Sequence, residues 1–236
     1  MAEDFAQHYL DDRFHGTGPG PRTADSSSVK LYLLLKPQGE PEIIRGLLAA
    51  GSSILELGCG VGRITNPLVQ FGYDVTAVDN SDEMLAFVKS ARTIKSDIET
   101  LDLRRRFDAV LLMSHLINIP SVSVRKAFLA TCRRHVAPRG VVIIQRHDPK
   151  WLDGVQVGPL GLTDGIETFV ESVVHKESSV DITLRWRIER DTWTQTFTAQ
   201  RLDDDDIERS LDEVQLEIEN WLDESRTWLL ARPKNA

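Results

Sequence analysis

Apolar and polar positions change period along the chain, and each change marks a different kind of element. Polar residues at 23–28 offer helix caps before an apolar-rich helix over 29–36 that Pro37 stops. Pro41 suits the first turn of a second helix, which runs to Ala50 and ends at Gly51. Short apolar runs then alternate with helix-compatible stretches. The runs are 53–57, 73–78, 92–95, 107–113 and 140–145, and the stretches are 62–71, 82–91 and 122–136. Runs such as AVLLM and VVII are apolar on both faces, as central strands of a parallel sheet covered by helices must be. This alternation predicts a doubly wound α/β fold.

After Asp148 the period becomes two. Val180, Ile182, Leu184, Trp186 and Ile188 alternate with polar residues, as do Trp193, Gln195, Phe197 and Ala199 with threonines. With 167–175 before them, these segments predict a three-stranded antiparallel meander with one apolar face. That face must be covered by the core or by a partner subunit. The run DDDD at 203–206 precedes apolar residues at helical spacing, and carboxylates there cap a helix and offset its dipole, a better reading than a metal cluster. Strands at 216–221 and 227–231 close the pattern. At the other end, a short helix is expected around 5–14, and HGTGPGP at 15–21 is expected to be an irregular hinge.

The 236 residues suit one large domain with an elaboration, and 41% hydrophobic with 27% charged residues is an ordinary globular composition. The run Ala109–Met113 falls far short of the ~20 residues of a membrane helix, and the acidic N-terminus does not read as a signal peptide. With only Cys59 and Cys132, a cytoplasmic, reducing setting is expected. A net charge of −8, and only Arg104–Arg106 as a basic run, argue against a nucleic-acid partner.

The chemistry concentrates in ILELGCGVGR at 54–63, where a strand runs into Gly58-Cys59-Gly60-Val61-Gly62 and a helix follows. Such glycines let backbone pass close under a ligand, and the helix start offers free amides. Asp79 ends the next strand, where a carboxylate can accept from both ribose hydroxyls; alone, it would fit a simple turn with Asn80 and Ser81. The dinucleotide fingerprint is G-x-G-x-x-G. Here the third glycine comes one residue early, and Glu56 would repel a pyrophosphate but suit a cationic ligand. Both departures point away from NAD and from an oxidoreductase.

These residues resemble the first motif of the class I S-adenosylmethionine-dependent methyltransferases. VTAVDNSDEML at 75–85 resembles their second and IKSDIETLDL at 94–103 their third. RRFDAVLLMSHLINIP at 105–120 is similar to their fourth strand and loop, and FLATCRRHVAPRGVVIIQRHD at 128–148 to their next helix and strand. The resemblance implies a Rossmann-like, mostly parallel seven-stranded sheet. It divides the chain into an N-terminal helical lid (1–51), a cofactor-binding core (52–148), the meander insertion (149–200) and a closing helix and hairpin (201–236). It implies that Glu56, Gly58, Cys59, Gly60 and Gly62 hold the methionine part of S-adenosylmethionine. Asp79 would bind the ribose, Asn80 and Met84 would flank the adenine, Asp97 and the Ile98 amide would meet its edge, and Met113 and Ser114 would line the cofactor. No metal is implied.

A sulfonium methyl is already electrophilic, so the protein must chiefly hold an acceptor in line and exclude water. An oxygen acceptor also profits from a base, for which His115, after the fourth strand, is best placed, with His147 and Asp148 next. Tyr9, His15, His147 and Trp151 are expected to join His115 around a small-molecule acceptor, whereas His135 fits a charge at a helix C-terminus. The loop MSHLIN lacks the Asn/Asp-Pro-Pro-aromatic string of nucleic-acid amino-methylases. Length and meander are similar to the nucleotide-aminosugar N,N-dimethyltransferases of bacterial secondary metabolism, in which the meander helps form a homodimer. Transfer to oxygen or to nitrogen stays open, and so do a non-catalytic cofactor-binding protein and, less favoured by the glycine spacing and Glu56, an NAD-dependent oxidoreductase.

Overall fold

A computed structural model describes residues 15–234. The expected helix at 5–14, and with it Tyr9, lies outside them. The described chain forms two compact units, one of 15–36 with 150–201 and one of 37–149 with 202–234. In chain order the elements begin with β1 (His15–Thr17), α1 (Val29–Leu34), α2 (Glu40–Leu47), β2 (Ser53–Leu57), α3 (Thr65–Gln70) and β3 (Asp74–Asp79). Then come α4 (Asp82–Leu85), β4 (Arg92–Lys95), β5 (Phe107–Leu112), α5 (Val122–His135), β6 (Val136–Gln145) and α6 (Pro149–Gly154). The chain finishes with β7 (Gly158–Thr163), β8 (Ile166–His175), β9 (Ser179–Ile188), β10 (Asp191–Gln200), α7 (Asp204–Asp212), β11 (Leu216–Trp221) and β12 (Trp228–Pro233).

The larger unit carries the expected seven-stranded sheet, ordered β11-β12-β6-β5-β2-β3-β4. Strands β2 to β6 run parallel, and β12 joins β6 antiparallel. Both faces of the central strands are buried, which explains their unbroken apolar runs. Leu55, Leu57, Val110 and Leu112 enter one core with α5 and α7; Ile54, Ala109 and Leu111 enter another with Ile44 and Leu68. From β2 the chain steps outward to β3 and β4, then returns to lay β5 on the other side of β2. The sheet therefore reverses direction between β2 and β5, where an open α/β sheet opens a crevice at its carboxyl end. Among the described residues no helix is long and apolar enough to cross a membrane.

Three boundaries differ from expectation. Helix α3 starts at Thr65 because Gly62, at φ 79°, sits in the left-handed region that a helix cannot include. Helix α4 stops at Leu85 because the Asn66 side chain accepts from Lys89 N–H and donates to Phe87 O, drawing that backbone away. Strand β6 begins at Val136, which pairs with Phe107 ahead of a bulge before Val141 pairs with Ala109.

The smaller unit is built on a five-stranded antiparallel sheet, β1-β10-β9-β8-β7, rather than the three strands expected. The meander β8-β9-β10 is present, with β7 and β1 added at its edges. Residues 15–17 thus form a strand where an irregular hinge was expected. Gly16 makes this possible, since a Cβ there would lie 2.2 Å from Ser26 O. The apolar face is covered within the unit: Trp151, Leu152 and Val155 pack on Val170, Val180, Ile182 and Ala199. Trp193 donates to Pro19 O and Gln195 to Ser27 Oγ. On the other face, hydroxyls of Thr17 and Thr194, and of Ser172, Thr183 and Thr196, bond across strands. Glu40–Leu47, expected in an N-terminal lid, belongs to the larger unit, whereas residues 15–36 belong to the smaller.

Candidate functional site

The carboxyl ends of β2, β3, β4, β5 and β6 bring most of the sequence-predicted residues to one edge of the larger unit. Beyond β2, Gly58, Gly60 and Gly62 all have positive φ. A Cβ at Gly58 would lie 2.8 Å from the Leu116 side chain, so packing fixes that glycine. A Cβ at Gly60 would meet nothing within 4 Å, so there the loop faces open space in which a ligand can lie against backbone. Cys59 N–H donates to Val78 O, and burial first, then the carboxylates of Glu56 and Asp79, raises its thiol pKa far above the ordinary value. Cys59 is therefore a loop-holding residue and no nucleophile at neutral pH.

Asp79 organises the loop. One oxygen accepts from Gly60 N–H at 2.8 Å and the other from Ser81 N–H at 3.0 Å, so a single carboxylate ties the ends of β2 and β3 together. Ser81 in turn caps α4 by accepting from Met84 N–H, which seats the Met84 side chain in the interior. Asn80 donates to Asp97 at 3.0 Å, joining the ends of β3 and β4. Beside Asp97, Ile98 is buried, and its carbonyl accepts from Thr131 Oγ1 of α5 at 2.8 Å.

Glu56, buried at the end of β2, accepts from Thr65 Oγ1 at 2.5 Å. Burial pushes its carboxyl pKa up to about 7, with Thr65 and the Arg63 charge acting against the rise and Asp79 with it. A buried carboxyl of this kind becomes favourable as an anion once a cation reaches it. Arg63 itself pairs with the buried Glu40 at 2.5 Å. Sequence reasoning missed Glu40 and Thr65. Thr65 lies nine positions beyond Glu56 on the opening turn of the next helix, and that spacing is the only signal that could have marked it.

Beyond β5, Met113 is buried, and Ser114 and His115 follow in the left-handed region at φ 54° and 62°. Two successive non-glycine residues in that region are costly and persist only where the surrounding structure holds them. Ser114 N–H donates to Gln145 Oε1, and His147 N–H donates to Asn118 Oδ1, so the loop after β5 is fastened twice to the end of β6. The His115 and His147 rings stack with centroids 3.9 Å apart and planes 9° from parallel. Burial pushes His115 down to about 4, the Arg63 charge adding to the fall and Glu40 opposing it. Burial and the neighbouring His115 lower His147 as well. Both rings are neutral at physiological pH.

Two further predicted residues belong to the smaller unit. His15 stands on β1 opposite Thr196, and Trp151 packs in the core of the smaller unit. His135 is not the helix-terminal charge expected: it is fully buried, its Nδ1–H donates to Thr131 O and its Nε2 accepts from Leu103 N–H. Burial lowers its pKa, and the ring is a neutral brace between α5 and the loop after β4. The acidic run is a cap, as expected. Asp203 accepts from Asp206 N–H and the Asp206 side chain returns the bond, while Asp204 holds Arg146 and Arg226. Among the described residues no cluster of three His, Cys, Asp or Glu side chains is placed to hold a metal ion.

Residues 54–140 match the family described as methyltransferase domain. The ubiquinone biosynthesis O-methyltransferase of Bradyrhizobium diazoefficiens is 31% identical over 109 residues, 43% of this chain and 42% of that protein. The chain thus spans about two fifths of the length of the curated relatives it matches. Among solved structures, an S-adenosylmethionine-dependent methyltransferase from Clostridium acetobutylicum superposes with a TM-score of 0.72 at 18% identity, covering 87% of this chain and 95% of that one. An amino pentose methyltransferase from Micromonospora echinaspora superposes at 0.64 with 20% identity, covering 81% and 87%. The seven-stranded sheet and its glycine loop thus have the fold of S-adenosylmethionine-dependent methyltransferases, and within that sheet the segment 54–140 matches the methyltransferase domain family.

Proposed function

We propose that the protein transfers the methyl group of S-adenosylmethionine to an oxygen or nitrogen of a small molecule, in bacterial secondary metabolism. One observation carries this reading. The open glycine loop, the buried Glu56, Asp79 and the Asn80–Asp97 pair lie together at the sheet reversal, where the loop after β5 also ends. Their donor set fits the ligand. Glu56 and the 58–62 loop would take the cationic amino acid part, Asp79 the ribose hydroxyls, and Asn80, Met84, Asp97 and Ile98 the adenine, with Met113 and Ser114 along the cofactor. Bound there, the cofactor supplies an electrophilic sulfonium methyl and leaves as a neutral thioether. The chain holds the acceptor, excludes water and offers His115 as the proton acceptor. Ubiquinone O-methyltransferases among the relatives and sugar N-methyltransferases among the structural neighbours support a small-molecule acceptor of either kind.

We assign a cytoplasmic location and a homodimer to the same reading. The exposed edge strand β7, with Leu160 and Leu162 open to solvent, is the surface offered to a second copy. Titration calorimetry with S-adenosylhomocysteine and with NADH tests the cofactor assignment, and binding of NADH alone would overturn it. Incubation with S-adenosylmethionine and a panel of amines, aminosugar nucleotides and phenols, read by mass spectrometry, tests the reaction. A gain of one methyl mass on a panel member is expected; cofactor binding with no product in any panel or cell extract would favour a non-catalytic binding protein.

A further inference from the structure

The stacked pair at the ends of β5 and β6 is more specific than a lone base requires. We propose that His147 is a positioning residue, whose ring fixes the orientation in which His115 takes the proton of an acceptor hydroxyl. The inference rests on the methyl-transfer reading above and narrows its acceptor to oxygen.

Geometry argues for it first. His115 sits on a strained turn, and its own backbone does not aim the ring; the two bonds that fasten the turn, Ser114 N–H to Gln145 and His147 N–H to Asn118, fix only backbone. The imidazole itself lies against the parallel ring of His147, 3.9 Å away. Aromatic pairs in this arrangement contribute about 0.5–1.5 kcal/mol beyond area burial, enough to select one ring orientation.

Electrostatics argues for it second. With rings this close, a positive charge on one disfavours a positive charge on the other. The pair therefore favours a single added proton. The charged groups that act on His115 are Arg63 and Glu40, already paired with each other, and the group that acts on His147 is His115. One-proton capacity matches a hydroxyl acceptor. As the oxygen lone pair forms the new C–O bond, the methyl C–S bond breaks with its electron pair going to sulfur, the O–H bond breaks with its electrons staying on oxygen, and the proton passes to a ring nitrogen of His115 and then to water. A free amine needs no such acceptor during the step, since the product leaves as the ammonium form.

The test follows the His115 Cε1–H resonance by NMR against pH in the wild type, His147→Ala and His147→Phe, with His147→Gln as a second non-aromatic variant should the alanine protein not fold. Each variant keeps the backbone bond to Asn118, so only the ring changes. In the wild type His115 is expected to titrate well below 6.5. Loss of the stacked ring lets water in and should raise the midpoint by about one pH unit in the non-aromatic variants, while phenylalanine restores the low value. The same midpoint in all variants would overturn the proposal. Binding of S-adenosylhomocysteine, measured on the same samples, separates the two readings: titrations as expected with no binding support the pair and sink the methyltransferase assignment.

Discussion

Replacing Glu56 by glutamine separates the stability of the free protein from its affinity for ligand. The carboxyl is 2% exposed, and burial raises its pKa from 4.5 to about 7. An acid raised in this way holds its proton longer in the folded than in the unfolded state. Its contribution is neutral while both states are protonated, and stability falls as pH rises from about 4.5 to about 7. At about 1.4 kcal/mol per pH unit, the full cost is about 3 kcal/mol and is reached near pH 8. Glutamine can keep the Thr65 hydrogen bond but does not titrate. The variant should therefore gain about 3 kcal/mol on the wild type between pH 4.5 and pH 8. The lowered histidines titrate alike in both proteins and cancel in the comparison. Urea melts without ligand at several pH values read this directly, as a growing separation of midpoints at constant slope. Affinity should move oppositely: the wild type binds S-adenosylhomocysteine more tightly from pH 6 to 8 as Glu56 ionises against the cationic amino group, and the variant loses about tenfold or more at pH 8. A separation of midpoints that stays constant across this range would refute the buried-carboxyl account.

Asp79→Ala should weaken S-adenosylhomocysteine binding by about tenfold or more and, by stripping partners from Gly60 and Ser81 amides, cost about 1–3 kcal/mol while leaving the circular dichroism spectrum native; an unchanged Kd would mean that the ribose is held elsewhere. Gly58→Ala should destabilise well beyond Gly60→Ala, since both positions have positive φ but only the former drives a Cβ into Leu116, and equal thermal midpoints would contradict the packing at that loop. In the acidic run, Asp204→Ala leaves the buried Arg146 without its carboxylate and should cost about 3 kcal/mol, whereas Asp205→Ala should stay within about 0.5 kcal/mol by urea melt. Leu162→Arg places a charge on the exposed β7 edge and should shift a dimer to a monomer in analytical ultracentrifugation, with the unaltered mass contradicting that surface.

The sheet was readable because burial writes itself locally. Ile54, Leu55 and Leu57, like Ala109–Leu112, are apolar on both faces because each face meets its own core, and the period of two in β8 to β10 reflects one covered face. The acidic cap was readable for the same reason, since Asp203 and Asp206 satisfy each other three residues apart. Element ends were less so: no local pattern says that Asn66 will capture the backbone at Phe87 and Lys89, or that Gly16 will let residues 15–17 join a sheet edge formed by Thr194–Thr196. The site divides along the same line. Asp79 and Gly60, or Asn80 and Asp97, lie 19 and 17 positions apart within successive strand–helix units, so their meeting follows once those units are recognised. Ser114 with Gln145 and Asn118 with His147 lie 31 and 29 apart across the crossover from β5 to β6. They meet because the parallel register of those strands ends both loops at one level and because Ser114 and His115 adopt a conformation that nothing in Ser-His foretells. His135 shows the converse. Its place at a helix end reads as a charge until the amide of Leu103, 32 positions back, occupies the second nitrogen and makes the neutral ring the stable form. A residue's type and period report its burial, but its protonation and its chemistry depend on partners delivered by other strands.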